Sequence, residues 1–165
     1  MSGSARIRIM LVDDHVLLRQ GLASLLRAEP DFEVVGEACD GVEAIAKAPD
    51  LRPDIVLMDV RMLRMSGLDA TPRILEALPA VTIVMLTATE DEDAVFDAVK
   101  SGAQGYLLKT IEPEALFDSL RGVARGEAAL SGGLASKILL EFARQSRRPR
   151  EPVSPLASLS GREQD

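Results

Sequence analysis

The stretch DIVLMDVRMLRMSG, residues 54–67, decides the fold, because an apolar run within it ends in a single acid. The run at 54–58 shows no polar alternation, which is typical of a strand covered on both faces of its sheet. After Asp59 the chain enters a loop with arginine at two positions and no proline. The segment therefore predicts a buried strand that presents one carboxylate at its carboxyl end.

The same alternation of strand and helix is repeated along the chain. Further apolar or β-branched runs stand at 7–12, 32–38, 81–86 and 105–108. Segments with helical spacing of apolar residues are found at 16–27, 41–48, 67–77, 92–101 and 113–125. Five such units predict an α/β fold, a doubly wound five-stranded parallel sheet with helices on both faces.

Polar residues stand just past four of the predicted strands. They are Asp13 and Asp14, Asp59, Thr87 and Lys109. Taken singly, each has an ordinary explanation as a helix cap, a turn residue or a surface lysine. In an open parallel sheet, however, ligands bind outside the carboxyl ends of the strands. The acid pair follows the first predicted strand, and each of the other three residues follows a different strand. We therefore expect all of them to form one site.

The chemistry of this set favours phosphoryl transfer. Carboxylates, with a carbonyl and water, are the oxygen ligands that Mg²⁺ prefers. A further carboxylate beside the metal and a lysine can act as a nucleophile toward phosphorus and form an acyl phosphate. The Thr87 hydroxyl could then donate a hydrogen bond to a phosphoryl oxygen. The expected event is phosphorylation of Asp59.

Composition excludes several classes of protein. A net charge of −7 argues against a nucleic-acid surface on the body of the domain. The basic run at 144–150 is interpreted as a solvated linker. The single cysteine, Cys39, excludes an internal disulfide and is expected to be a small buried side chain. No apolar run reaches the roughly 18 residues of a spanning helix, and no signal peptide is recognisable, so we expect a cytoplasmic protein.

Taken together, these residues resemble the receiver domain of two-component response regulators. The acid pair, Asp59, Thr87 in LTA and Lys109 in YLLK match the family's signature, and Tyr106 matches its switch aromatic. The resemblance covers about residues 6–126 and implies a CheY-like, flavodoxin-like (βα)5 fold. It implies transfer of a phosphoryl group from a histidine kinase to Asp59, without the chain being a dedicated enzyme. The only histidine, His15, is then expected to be a class-typical residue at the start of a helix and not catalytic.

The resemblance also implies roles for individual residues. Mg²⁺ would be held by Asp13, Asp14, Asp59 and the backbone carbonyl of Arg61. Thr87 and Tyr106 would form the switch, and the face built by the fourth and fifth helices would serve output and homodimer formation. Arg61 and Thr89, two residues past Asp59 and Thr87, would tune the lifetime of the phosphoryl group.

A narrower resemblance is to the NarL/FixJ class, the LuxR-type transcriptional regulators. It rests on VDDHVLLRQGLASLL (12–26), VVGEACDGVEAI (34–45) and GAQGYLLKT (102–110). The implied organisation is a tail at 1–5, a receiver at 6–126, a linker helix and interdomain linker at 127–158, and the first residues of a helix-turn-helix domain at 159–165. The parent protein would bind promoter DNA through that C-terminal domain, and this stretch of chain would not.

Two positions depart from the receiver pattern. Leu63-Arg64 stands where receivers usually carry Pro-Gly, which predicts a loop of different shape or mobility and a strained backbone if Arg64 adopts a left-handed conformation. Lys109-Thr110 stands where many receivers have Lys-Pro, so a cis peptide bond is a hypothesis to check.

Three alternatives remain open at this point. A pseudo-receiver that serves only as a protein-interaction module is the main one. A haloacid-dehalogenase-like phosphatase would need an acid where the chain has Arg61, and a dinucleotide-binding enzyme would need G-x-G-x-x-G after the first strand, where the chain has DDHVLLRQG.

Overall fold

The fold is a single parallel sheet with helices packed on it. The computed structural model describes residues 6–88 and 92–130, with the backbone alone for 92–96 and 130. The strands are β1 Ile7–Val12, β2 Phe32–Ala38, β3 Ile55–Asp59, β4 Thr82–Thr87, β5 Gly105–Leu108 and β6 Ala129–Leu130. The helices are α1 Val16–Arg27, α2 Gly41–Leu51, α3 Gly67–Ala77, α4 Glu92–Ser101 and α5 Pro113–Ala124.

The sheet order is β2-β1-β3-β4-β5-β6, and every pair of neighbours is parallel. The predicted five-stranded parallel sheet is confirmed. The strand order reverses between β1 and β3, so their carboxyl ends flank the point where ligands bind in sheets of this type. Strand β3 is buried along its whole length, as its continuous apolar run predicts.

Two helices begin at side-chain caps that also shape the loops around the carboxyl edge. The carboxylate of Asp40 accepts a hydrogen bond from the backbone N–H of Glu43 at 2.8 Å, at the start of α2. The Ser66 hydroxyl accepts one from the N–H of Asp69 at 3.1 Å, at the start of α3. Each cap satisfies a donor that the first helical turn leaves unpaired, so the helix starts are fixed locally.

The structure corrects several boundaries. Strands β3 and β4 each end one residue later than predicted, which makes Asp59 and Thr87 the last strand residues and not the first loop residues. Helix α2 extends three residues beyond the predicted 48 and contains Pro49. A sixth strand, Ala129–Leu130, pairs with β5 inside the segment assigned to the linker. Two residues are too short to give a periodic signal.

Two local hypotheses are not met by the structure, and one local expectation is wrong. No cis peptide bond occurs among residues 6–88 and 92–130, so the Lys109-Thr110 bond is trans. A cis bond before a residue other than proline costs about 3 kcal/mol, which favours the trans form. Arg64 does not have a positive φ; within the described residues Arg52 is the non-glycine residue that does. Cys39 is exposed and not buried, because it follows the last residue of β2 at the rim of the sheet.

Other expectations fall on residues that the structure leaves undescribed. These are the tail at 1–5, Thr89, the basic run at 144–150, the linker helix beyond 130 and the helix-turn-helix start at 159–165. In the part of the chain that is described, no helix is both long and apolar enough to cross a membrane.

Candidate functional site

Asp59 lies at the carboxyl end of the central strand β3, with 5% of its surface exposed. The backbone N–H of Arg61 donates to Asp59 Oδ1 at 3.3 Å, and the N–H of Gly67 donates to the Val60 carbonyl at 2.8 Å. A Cβ at position 67 would collide with the carbonyl oxygen of Asp59, so glycine is required where the loop returns behind the acid. The loop at 60–67 thus closes tightly around the Asp59 backbone.

Lys109 joins the acids of two strands. Its Nζ lies 3.0 Å from Asp59 Oδ2 and 3.1 Å from Asp13 Oδ2, and its side chain is 14% exposed. Its backbone N–H donates to the carbonyl of Thr87 at 2.6 Å, which fixes the lysine just past β5. One ammonium therefore bridges two carboxylates that are themselves almost fully buried.

Of the acid pair after β1, Asp13 is held by His15 and by Arg19 of α1. Asp13 Oδ1 accepts hydrogen bonds from the backbone N–H of His15 at 2.8 Å and contacts His15 Nδ1 at 3.1 Å. The Arg19 guanidinium donates to the backbone carbonyl of Asp13 at 2.6 Å and to Glu37 at 2.9 Å. Asp14 Oδ1 is buried and accepts no hydrogen bond within the described residues; His15 Nδ1 lies 3.4 Å from it.

The pKa values of Asp59 and Lys109 are shifted by burial and by neighbouring charges. Burial raises the pKa of Asp59, and the charge of Asp13 adds to that rise, while Lys109 opposes it. Burial lowers the pKa of Lys109, but its hydrogen bonds to Asp59 and Asp13 outweigh burial and the net shift is upward. The lysine therefore stays charged, and the site holds more negative charge than this lysine compensates.

The donor set fits a hard divalent cation. Atoms of Asp13, Asp14, His15 and Asp59 lie within 4.8 Å of one another. Three of the four residues offer carboxylate oxygens, the ligands preferred by Mg²⁺. The buried oxygen of Asp14, which no protein donor in the described part of the chain satisfies, is the kind of atom that a cation would pair.

The two predicted switch residues lie in the core beside this edge. Thr87 is 4% exposed and Tyr106 is 1% exposed. In the pairing of β4 with β5, Thr87 is opposite Leu108 and Met85 is opposite Tyr106. Thr87 and Tyr106 therefore lie on adjacent strands. Tyr106 is two residues further from the carboxyl edge than Leu108, the residue opposite Thr87.

The structure brings together the predicted Asp13, Asp14, Asp59 and Lys109, and it adds two residues to their surroundings. His15 stands at the N-cap position of α1, at the start of the helix as expected, but its side chain makes no cap hydrogen bond and its ring lies beside the acids. Arg19, four residues on, was not predicted as a site residue. Its helical spacing from His15 is the signal that could have placed it near the acid pair.

Comparisons with known proteins agree with this geometry. A family model described as the response regulator receiver domain matches residues 9–121. The transcriptional regulatory protein LiaR of Bacillus subtilis (strain 168) is 41% identical over 157 residues, which cover 95% of this chain and 72% of LiaR. The response regulator protein VraR of Staphylococcus aureus (strain Mu3 / ATCC 700698) is 42% identical over 132 residues, covering 80% of this chain and 63% of VraR.

A solved structure shows the same fold. The two-component response regulator of the LuxR family from Aurantimonas sp. SI85-9A1 superposes with a TM-score of 0.78 at 33% sequence identity. The match covers 84% of this chain and 99% of that one.

Proposed function

The chain belongs to the response regulator receiver domain family, in its LuxR-type branch, and we propose that its Asp59 accepts a phosphoryl group from a sensor histidine kinase. The observation that carries the proposal is the contact of Lys109 Nζ with both Asp59 Oδ2 and Asp13 Oδ2, at 3.0 and 3.1 Å, at the carboxyl edge of the sheet. A buried carboxylate with a fixed ammonium beside it is suited to attack phosphorus.

In the proposed reaction, a carboxylate oxygen of Asp59 forms a bond to phosphorus as the bond from phosphorus to the kinase's histidine nitrogen breaks. The electron pair of that bond stays with the imidazole. The Lys109 ammonium lies within hydrogen-bond distance of Asp59 and offsets negative charge on the phosphoryl oxygens. Asp13, Asp14, Asp59 and the backbone carbonyl of Arg61 would hold Mg²⁺, which neutralises further charge on those oxygens when bound.

The output steps follow from the same assignment. The Thr87 hydroxyl would donate to a phosphoryl oxygen and move inward, and Tyr106 would follow that move on the neighbouring strand. The face formed by α4, β5 and α5 would then favour a homodimer, and the C-terminal domain of the parent protein would bind promoter DNA. Such a chain is a cytoplasmic phosphoacceptor that catalyses its own phosphorylation and dephosphorylation, and not a dedicated enzyme.

The alternative function is a phosphorylation-independent pseudo-receiver that acts as a protein-interaction module. The direct contacts of Lys109 with Asp59 and Asp13 favour the phosphoacceptor, because an interaction module has no need for three acids and a lysine at one edge. The phosphatase and the dinucleotide-binding enzyme are not supported, since Arg61 and the loop after β1 lack the groups those reactions need.

An intact-mass measurement tests the proposal. The chain is incubated with acetyl phosphate, with and without Mg²⁺, beside the variants Asp59→Asn and Asp118→Asn. We expect one added phosphoryl group that requires Mg²⁺, persists in Asp118→Asn and is absent in Asp59→Asn. An unmodified parent would favour the interaction module, and turnover of phosphate esters would favour a phosphatase.

Two positions are proposed to tune the lifetime of the phosphoryl group. Arg61 follows Asp59 by two residues, and Thr89, outside the described residues, follows Thr87 by two. Changing either should alter the rate of dephosphorylation without abolishing phosphorylation. Decay in both variants equal to that of the parent would remove this role.

A further inference from the structure

The loop that follows the phosphoacceptor is tied to the first turn of α2 by an ion pair. Arg64 Nε lies 2.6 Å from Asp40 Oδ2, and the Asp40 side chain is 7% exposed while that of Arg64 is 63% exposed. Asp40 uses its other oxygen, Oδ1, to cap α2. The carboxylate is therefore held by the helix on one side and is directed at the loop on the other.

A backbone contact adjoins the ion pair. The N–H of Gly41 donates to the carbonyl of Met65 at 3.3 Å. Two neighbouring loop residues, Arg64 and Met65, thus contact two neighbouring residues at the start of α2, Asp40 and Gly41. A Cβ at position 41 would lie 2.9 Å from the carbonyl oxygen of Met65, which keeps any side chain out of this contact. The loop thus lies directly against the helix start.

The electrostatics agree with a formed pair. The hydrogen bond from Arg64 holds the pKa of the Asp40 carboxyl below its usual value, and the bond from the Glu43 backbone adds to this, against a rise from burial. The Arg64 pKa is raised, by the Asp40 hydrogen bond first and then by its charge. Because Asp40 is nearly buried, leaving it without Arg64 would expose its charge to a poorly solvating environment.

The loop is short and anchored at both ends near Asp59. Arg61 begins it with a hydrogen bond to Asp59 Oδ1, and Gly67 ends it with a hydrogen bond to Val60. Between these anchors, residues 61–66 include neither proline nor glycine, so no residue with special backbone geometry shapes the loop. Here Leu63 is 92% exposed and contributes little packing, so the Arg64 ion pair, beside the Gly41–Met65 backbone contact, constrains the middle of the loop.

We propose that Arg64 is a positioning residue, whose ion pair with Asp40 fixes the loop that carries the Arg61 carbonyl. The pair then sets the affinity of the acidic site for Mg²⁺, since Arg61 stands three residues before Arg64 in the same loop. This inference rests on the proposed function for its metal, and on the observed contacts for the loop.

A double-mutant cycle on the full chain tests it. The variants are Arg64→Gln, Asp40→Asn and the double change, because asparagine still caps a helix while it removes the charge. The readouts are the Mg²⁺ dissociation constant from titration calorimetry and the hydrogen exchange of the Gly41 and Gly67 amides. Arg125→Gln is the matched control, since Arg125 forms an ion pair of 3.1 Å with Glu127 and both residues lie beyond α5.

Each single change should weaken Mg²⁺ binding about two- to five-fold, the range of ion pairs with an exposed partner. The double variant should be no weaker than the singles, and Arg64→Lys should recover part of the loss. In Arg64→Gln the Gly41 amide should exchange faster while the Gly67 amide does not change. The Arg125→Gln control should match the parent in all readouts.

Additive losses in the cycle, or parental values in both single variants, would overturn the inference. A parent that binds no Mg²⁺ and takes no phosphoryl group would overturn the proposed function and the metal part of this inference together. In that case an unchanged Gly41 amide in Arg64→Gln would overturn the tether as well, and a faster one would uphold it independently of the metal.

Discussion

Two clusters of charge in this molecule each combine three acids with one cation, and they differ in burial. At the carboxyl edge, Asp13, Asp14 and Asp59 gather near Lys109, with direct contacts from the lysine to two of them. On the side of β2 and α5, Arg121 contacts Asp31 at 2.7 Å, Glu29 at 2.9 Å and Asp118 at 3.5 Å. Each cluster places three acids near one strong cation.

Burial separates the two clusters. The side chains of Asp31 and Asp118 are 44% and 78% exposed, whereas those of Asp13 and Asp59 are 5% and 6% exposed. The pKa of Asp31 is lowered, chiefly by its hydrogen bond to Arg121, while burial raises that of Asp59. A forked guanidinium and solvent exposure stabilise the charges of one set of acids, whereas burial opposes the charge of Asp59 in the other, as is common where chemistry takes place.

The aromatic residues beneath Arg121 add to this difference. Its guanidinium carbon lies 5.1 Å from the ring centre of Phe32 and 6.0 Å from that of Phe117. The two rings themselves lie 5.9 Å apart in the core between β2 and α5. The Arg121 cluster therefore contributes to stability through packing and charge together, and we expect it to have no part in phosphoryl transfer.

Among variants that keep Asp59, the largest expected effect comes from Lys109→Gln. The change removes the ammonium that lies 3.0 Å from Asp59 Oδ2, so charge on the phosphoryl oxygens loses its fixed partner. Phosphorylation by acetyl phosphate should slow on the order of 100-fold, the scale for removing one preorganised electrostatic group. The rate is followed by intact mass, with Lys47→Gln as control because Lys47 pairs with Glu43 on α2. A rate equal to the control would show that the lysine has no such role.

A smaller effect, on stability alone, is expected from Arg121→Met. Methionine keeps an apolar side chain over the rings but removes the cation and its ion pairs, so the free energy of unfolding should fall by about 1–2 kcal/mol. The phosphorylation rate should not change. Denaturant unfolding and intact mass measure the two quantities on the same sample. A loss of phosphorylation with retained stability would reverse the assigned roles of the clusters.

The smallest effect concerns pH. Since the pKa of Asp31 is depressed in the fold, its carboxylate stabilises the protein above its usual pKa, and this contribution is lost as the pH falls through the lower folded value. Unfolding free energy should therefore fall below about pH 4, and less steeply in Asp31→Asn. Arg121→Met should flatten the same slope, because Asp31 then loses its partner. Identical slopes in parent and both variants would contradict the ion pair as the cause.

The sequence predicted those features that repeat or that stand at strand ends. Apolar spacing predicted the bounds of β1, β2, β5, α1 and α3. The acids and the lysine lie at the carboxyl ends of the parallel strands, where ligands bind in sheets of this type. Boundaries shifted by one residue at Asp59 and Thr87, because a polar residue can still complete the ladder of a buried strand. The two-residue strand β6 has no periodic pattern to detect.

Contacts between side chains distant in the sequence were not predictable. Arg64 and Asp40 are 24 residues apart, and no sequence pattern in either segment indicates that the two side chains form an ion pair. The sequence identified Leu63-Arg64 as a departure from the receiver pattern, but the left-handed backbone considered for Arg64 does not occur there. A loop of different shape or mobility stays a prediction. The exposure of Cys39 was missed for a related reason: the residue after a strand can face the rim as readily as the core.

The contrast between the clusters is tested most directly by measuring stability and phosphorylation together in Asp59→Asn. If Asp59 is a phosphoacceptor held at the cost of buried charge, the variant should take no phosphoryl group from acetyl phosphate, and its free energy of unfolding at neutral pH should equal or exceed that of the parent. Continued phosphorylation, or a loss of stability as large as that in Arg121→Met, would contradict the account.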